Sequence, residues 1–98
     1  GAGTVLVANL PNLGTTPQFA GTSAQALATH STNVFNSALY SQLSAQAAAH
    51  PNTNIIFMDV NRAFGVLLGA PGRFGFYNVS APCFNGVTVC DTPDTYVF

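Results

Sequence analysis

Few side chains in this sequence could drive chemistry, and their spacing limits what that chemistry can be. Cys83 and Cys90 enclose six residues, Phe-Asn-Gly-Val-Thr-Val, which contain the tight-turn dipeptide Asn85-Gly86. Such a turn folds a segment into a small hairpin and brings flanking thiols within bridging distance. The spacing favours a local disulfide. Two free thiols remain an alternative, as does a metal site, which would need two further ligands nearby. Closing so short a loop removes little entropy from the unfolded chain, about 2 kcal/mol, so the bridge would mainly fix loop shape in an oxidising compartment.

Nucleophilic catalysis needs a Ser or Cys, a His within hydrogen-bond reach and a third group orienting that His. The two histidines are poorly placed for it. His50 follows a long helical pattern and precedes a strand, so it belongs at the sheet edge opposite the strand ends where ligands gather. His30 falls in the first turns of that helix, on or beside its covered face, and reads as structural or solvent-facing. No Gly-x-Ser-x-Gly elbow occurs. Gly65, Gly69, Gly72 and Gly75 do not follow a strand in the pattern of a phosphate loop. Asp59 stands near a strand's end and reads as the cap of the helix that follows or as a partner for nearby backbone. Asp91 and Asp94 flank Pro93 as turn residues. Asn78-Val-Ser80 matches the N-glycosylation acceptor, a pattern common by chance.

The elements that must position these groups begin with Thr4-Val-Leu-Val-Ala-Asn-Leu-Pro-Asn-Leu-Gly14. Its apolar run stops at Asn9-Leu10-Pro11, as a strand covered on both faces would. A Thr, Pro and Gly loop leads to Thr22 and Ser23, whose hydroxyls could cap a helix. From Ala24 to Ala49 the chain predicts a long amphipathic helix, roughly 39 Å at 1.5 Å per residue, with Leu27, Val34, Phe35, Ala38, Leu39 and Leu43 on its apolar stripe. His50-Pro51-Asn52 ends it. Asn54-Ile-Ile-Phe-Met-Asp-Val60 predicts a second strand, and strand, helix, strand makes a right-handed βαβ unit with parallel strands. Asn61 to Leu68 reads as a short helix stopped by Gly69-Ala-Pro-Gly72. An irregular segment from Arg73 to Asp94 follows, and Tyr96-Val-Phe98 has the character of a further strand.

Composition sets the outer limits. Apolar residues make up 48% of the 98 residues but charged ones only 5%, against about 25% in an ordinary domain. A free-standing domain of this size needs more solubilising charge, so much of the surface is expected to lie under further polypeptide. Arg62 and Arg73 are the only cationic Lys or Arg residues and the net charge is −1, which leaves no footprint for nucleic acid. The apolar runs are far shorter than the roughly 20 residues of a transmembrane helix. No signal-peptide succession opens the chain, and Gly1-Ala-Gly3 running straight into a strand is expected of a chain that begins within a domain.

Several of these segments, in their order, resemble a known family. Gly3-Thr-Val-Leu-Val-Ala-Asn-Leu-Pro-Asn-Leu-Gly-Thr-Thr-Pro17 resembles the strand and loop after the third conserved block of the GDSL-type lipases and esterases, the SGNH hydrolases. Phe35-Asn-Ser-Ala-Leu39, Ile55-Ile-Phe-Met-Asp-Val60, Gly75-Phe-Tyr-Asn-Val-Ser-Ala-Pro-Cys83 and Asp94-Thr-Tyr-Val-Phe98 are similar to the succeeding segments of its secreted bacterial members. The resemblance covers nearly the whole chain. It implies an α/β fold, a three-layer α/β/α sandwich with a parallel, flavodoxin-like sheet, of which this chain supplies a βαβα portion. It also implies hydrolysis of carboxylic esters, phospholipids among them, through an acyl-enzyme.

The family's nucleophile, oxyanion and Asp/His blocks fall outside the positions matched here, so the resemblance assigns no catalytic residue to this chain, and Asp94 is not promoted to one. Residues 1–98 are then expected to be a single partial domain, the C-terminal-half segment of such a hydrolase. It would work with the remaining fragments of the same domain on an ester or lipid substrate, without cofactor, metal or transmembrane segment, in a secreted, periplasmic or cell-surface location. Substrate-binding candidates are Asn9, Pro11, Asn12 and Leu13, with Phe76, Tyr77 and Asn78 as weaker ones. The competing expectation is a non-catalytic α/β module that binds a ligand or partner.

Overall fold

Two short β-branched and leucine-rich runs pair side by side, with a long helix connecting them. In the computed structural model, which describes residues 3–98, strand β1 spans Thr4–Ala8, helix α1 Gln25–Ala49, strand β2 Asn54–Met58 and helix α2 Val60–Gly69. β1 and β2 are parallel, registered Thr4 with Asn54 through Ala8 with Met58. The fold is therefore a mixed α/β arrangement built on a two-stranded parallel sheet. Short 3-10 turns at Leu13–Thr15, Pro71–Phe74 and Pro93–Thr95 punctuate the loops. No helix among the described residues is long and apolar enough to cross a membrane.

Three local expectations need correction. The cap position of helix α1 is Ala24, which makes no side-chain capping bond, rather than Thr22 or Ser23; the Thr22 hydroxyl does accept from the Ala24 N–H, at 3.2 Å, just ahead of the helix. Residues ahead of it are already wound into turns, and Gln25 Oε1 reaches back to accept from the Gly21 N–H at 3.0 Å. The apolar stripe is also rotated. Ala28 and Thr32 are the buried positions of α1 and Leu39 and Leu43 of the expected stripe are half-buried, while Leu27, Val34, Phe35 and Ala38 stand exposed, as does His30. Finally, β2 ends at Met58, because Asp59 is already the cap of α2 and accepts from the Arg62 N–H at 3.0 Å. That capping role is the one its position suggested.

Around Cys83 and Cys90 the structure has the expected hairpin. The two cysteines are disulfide-bonded, with Cα atoms 4.8 Å apart. Phe84 and Val89 form an antiparallel bridge, and the Cys90 N–H donates to the Cys83 carbonyl at 2.7 Å. Asn85 Oδ1 accepts from the N–H groups of Val87 and Thr88 at 2.9 and 2.8 Å, and Gly86 takes φ +96°, which a side chain would resist. Because these bonds already shape the turn, Cys83→Ser with Cys90→Ser is expected to cost only about 2 kcal/mol in urea unfolding. Helical circular dichroism should be unchanged. The Tyr96-Val97-Phe98 segment makes an isolated parallel bridge, Asn78 to Tyr96, rather than a strand.

One face of the sheet is largely bare: Leu6, Ile56 and Met58, which share it, are 59%, 45% and 47% exposed, although continuous apolar strands of this kind are normally covered on both sides. The other face lies partly under α1, where Val7 and Ile55 are half-buried and Tyr40 meets Phe57 edge-on. Ala28 is the one buried hydrophobic residue among those described. The radius of gyration, 16.7 Å, exceeds the roughly 13 Å of a compact chain of this length, and the long axis reaches 49 Å.

Candidate functional site

Register places the functional edge. Since Ala8 pairs with Met58, the residues that leave the two strands, Asn9 and Asp59, emerge together at the carboxyl ends where parallel sheets gather ligands. Asn9 is buried and binds both ways. Its backbone N–H donates to the Met58 carbonyl at 3.3 Å, its Nδ2 donates to Asp59 Oδ1 at 2.9 Å, and its Oδ1 accepts from the Asn61 N–H at 2.9 Å. One amide thus ties the end of β1 to the start of α2. The hydrogen bond from Asn9, and after it the one from the Arg62 backbone, holds the Asp59 carboxyl below the usual carboxylate range.

The turn that follows is fixed to α1. Asn36 clamps Leu10 with both halves of its amide, accepting from the Leu10 N–H at 2.9 Å and donating to the Leu10 carbonyl at 2.8 Å. Thr32, 1% exposed, accepts from the Leu13 N–H at 3.1 Å while its hydroxyl donates to the Ala28 carbonyl at 2.9 Å. Asn12 caps the 3-10 turn, its Oδ1 accepting from the Gly14 N–H at 2.9 Å. Buried Gly14 then lies flat against α1.

Of the four substrate-binding candidates, Asn9 has both side-chain groups engaged by protein and acts as a brace. Asn12 lines an open cleft with Thr15, Asn61, Phe64, Gly65 and Leu68, about 180 Å³ in volume. Pro11 and Leu13 are half-buried in the turn that carries it. Phe64 packs against Phe98 with ring centroids 5.9 Å apart, so the end of the chain backs the same region. Among the weaker candidates, Tyr77 is fully outward, and Asn78 Oδ1 accepts from the N–H groups of Ser80 and Ala81 at 3.2 and 2.9 Å in a local turn.

No family model matches the chain, and no curated protein does. The remaining polar side chains therefore have to speak for themselves. His50 closes α1 at the opposite edge, beside Val5, Leu43 and Ile55. His30 shares a shallow depression with Ser23 and Thr29 near the start of α1, and no carboxylate lines it. Among the described residues no three His, Cys, Asp or Glu side chains are grouped to hold a metal ion.

Thr32 and Asn36 are the positioning residues that sequence reading passed over. Their signal was faint but present: Ala28, Thr32 and Asn36 recur every fourth residue, one helical face that is small and polar where a core face should be apolar.

Proposed function

We propose that this chain is part of a secreted serine ester hydrolase of the GDSL type, acting on carboxylic esters or phospholipids through an acyl-enzyme. Nucleophile, oxyanion donors and the Asp and His are supplied by other polypeptide of the same domain. On this reading the two parallel strands belong to the larger sheet of a three-layer α/β/α sandwich, and the loop from Asn9 to Gly14 forms wall beside the reacting centre. The observation that carries the proposal is the ordered run of family-like segments across nearly the whole chain.

Two physical facts support it. The loop in question is braced from α1 and from the cap of α2 at the carboxyl edge of a parallel sheet, as a pocket wall should be. The chain also exposes 6635 Å², whereas a free-standing domain of 10.1 kDa exposes about 5300 Å². Exposed apolar side chains on the strands and helices, Leu6, Ile56, Met58, Leu27 and Val34 among them, belong to that surface, and in water they call for a covering partner. Its disulfide suits an oxidising compartment.

The chain alone is expected to be inert toward a short-chain nitrophenyl ester, and joining it to the flanking polypeptide should restore cleavage. Hydrolysis by the isolated chain would overturn the division of labour. No hydrolysis by the complete assembly, with ligand binding retained, would favour a non-catalytic binding module.

A further inference from the structure

The cleft between the turn after β1 and helix α2 has a composition that packing within the chain does not account for. Its floor is Phe64 and Leu68 of α2, and its rim is Asn12, Thr15 and Asn61. None of the lining residues is charged. Asn12 Oδ1 is committed to the Gly14 N–H, which leaves its Nδ2 as a spare donor. Thr15 spends its hydroxyl proton on the Asn12 carbonyl at 2.7 Å, so it offers lone pairs. Asn61 is held by its backbone N–H through Asn9, while its side chain makes no hydrogen bond among the described residues.

Gly65 is the informative residue. It sits within α2, where glycine costs about 0.5–1 kcal/mol relative to alanine. Its φ is not positive, and a Cβ placed there would meet nothing within 4 Å. Neither backbone conformation nor crowding requires a glycine at this position. Gly65 is part of the cleft lining, so a side chain added here would take up space at the cleft.

We infer that this cleft is a pocket for a short, neutral, apolar group carrying a carbonyl, such as the acyl portion of a short-chain ester; the choice of ester rests on the hydrolase reading. The volume of 180 Å³ equals that of about six water molecules at roughly 30 Å³ each, room for a group of about six heavy atoms. The side-chain amides supply donors for a carbonyl, and the aromatic and leucine floor takes the chain. An anion finds no cation in the lining, and the nearest charges outside it, Asp59 and Arg62, offset one another.

The test is titration of the full 98-residue chain with ethyl butyrate, and separately with butyrate, read on the side-chain amide resonances of Asn12 and Asn61. Ethyl butyrate should shift both amides saturably, and butyrate at least tenfold more weakly. Gly65→Leu, which adds a side chain in open space, should weaken the ester at least tenfold, and Gly65→Ala by less, both retaining the wild-type helical signal. Unsaturable shifts with the wild-type chain, or an ester affinity untouched by Gly65→Leu, would overturn the inference. So would a Gly65→Leu chain that binds ester normally but no longer joins its flanking polypeptide, since the cleft would then be a seat for protein. Because binding is read on the chain itself, a complete assembly that fails to hydrolyse esters would count against the hydrolase reading and leave this result standing.

Discussion

Gly14→Ala, the addition of one methyl group, is expected to lower the unfolding free energy by about 3 kcal/mol, at the upper end of what overpacking usually costs. A Cβ at Gly14 would overlap Thr29 Oγ1 and lie 2.8 Å from the backbone carbonyl oxygen of Gln25. Neither neighbour can yield cheaply. Thr29 is β-branched on a helix and has few χ1 choices, and the Gln25 carbonyl belongs to the first turn of α1. The turn would have to lift from the helix, stretching the bond from the Leu13 N–H to Thr32 and those between Leu10 and Asn36. For a domain of this size the loss corresponds to roughly 15 °C in Tm. Gly14→Ala with Thr29→Ala should recover only part of it, since the carbonyl remains. Gly72→Ala, where a Cβ meets nothing within 4 Å, should change Tm little. Thermal unfolding of the chain with its flanking polypeptide would decide; a Gly14→Ala midpoint close to that of Gly72→Ala would mean that the turn is not pinned to α1.

The strands, the crossover helix, the second helix and the cysteine hairpin were legible because each is written in local terms: apolar runs, turn dipeptides, a capping Asp59. What was not legible was which way α1 faces. Leu27, Val34 and Phe35 are the conspicuous apolar residues of that helix, yet they stand outward, and the face against the turn is Ala28, Thr32 and Asn36. Hydrophobic periodicity finds a face that is buried against something. In this chain Leu39 and Leu43 of the expected stripe are half-buried, Leu43 beside Ile55, whereas Leu27, Val34 and Phe35 have no cover from the described residues and a small, polar face holds the loop, so the pattern indicated only part of the contact. The same reasoning explains the candidate site. Asn9 and Asn12 were visible as turn formers at a strand's end, but whether an Asn braces the backbone or faces a ligand depends on partners some 50 residues away, such as Asp59 and Asn61.

Asn9 carries the other large effect, and its pH dependence has a sign that separates a brace from a bystander. Asn9→Ala removes the donor to Asp59 and leaves the Asn61 N–H without its acceptor, which is expected to cost about 2–3 kcal/mol for this buried amide. In the wild type the Asp59 carboxyl titrates below its ordinary value. Its unfolded counterpart, near about 3.9, takes up a proton first as pH falls, so the folded state keeps this contribution above that value and loses it on further acidification. Asn9→Asp conserves shape but sets a second carboxylate where the donor stood, 2.9 Å from Asp59 Oδ1. The folded pair would then hold a proton that the unfolded chain has released, raising its titration above the ordinary carboxylate range. Stability of Asn9→Asp should therefore rise as pH drops from about 7 toward 4, while over that interval this pair gives the wild type no such gain. Urea midpoints measured across that range, with the Asp59 carboxyl followed by carbon NMR, would show it directly. Parallel pH profiles for the two proteins would mean that Asn9 and Asp59 do not share a hydrogen bond, and that the strand ends are held together by backbone alone.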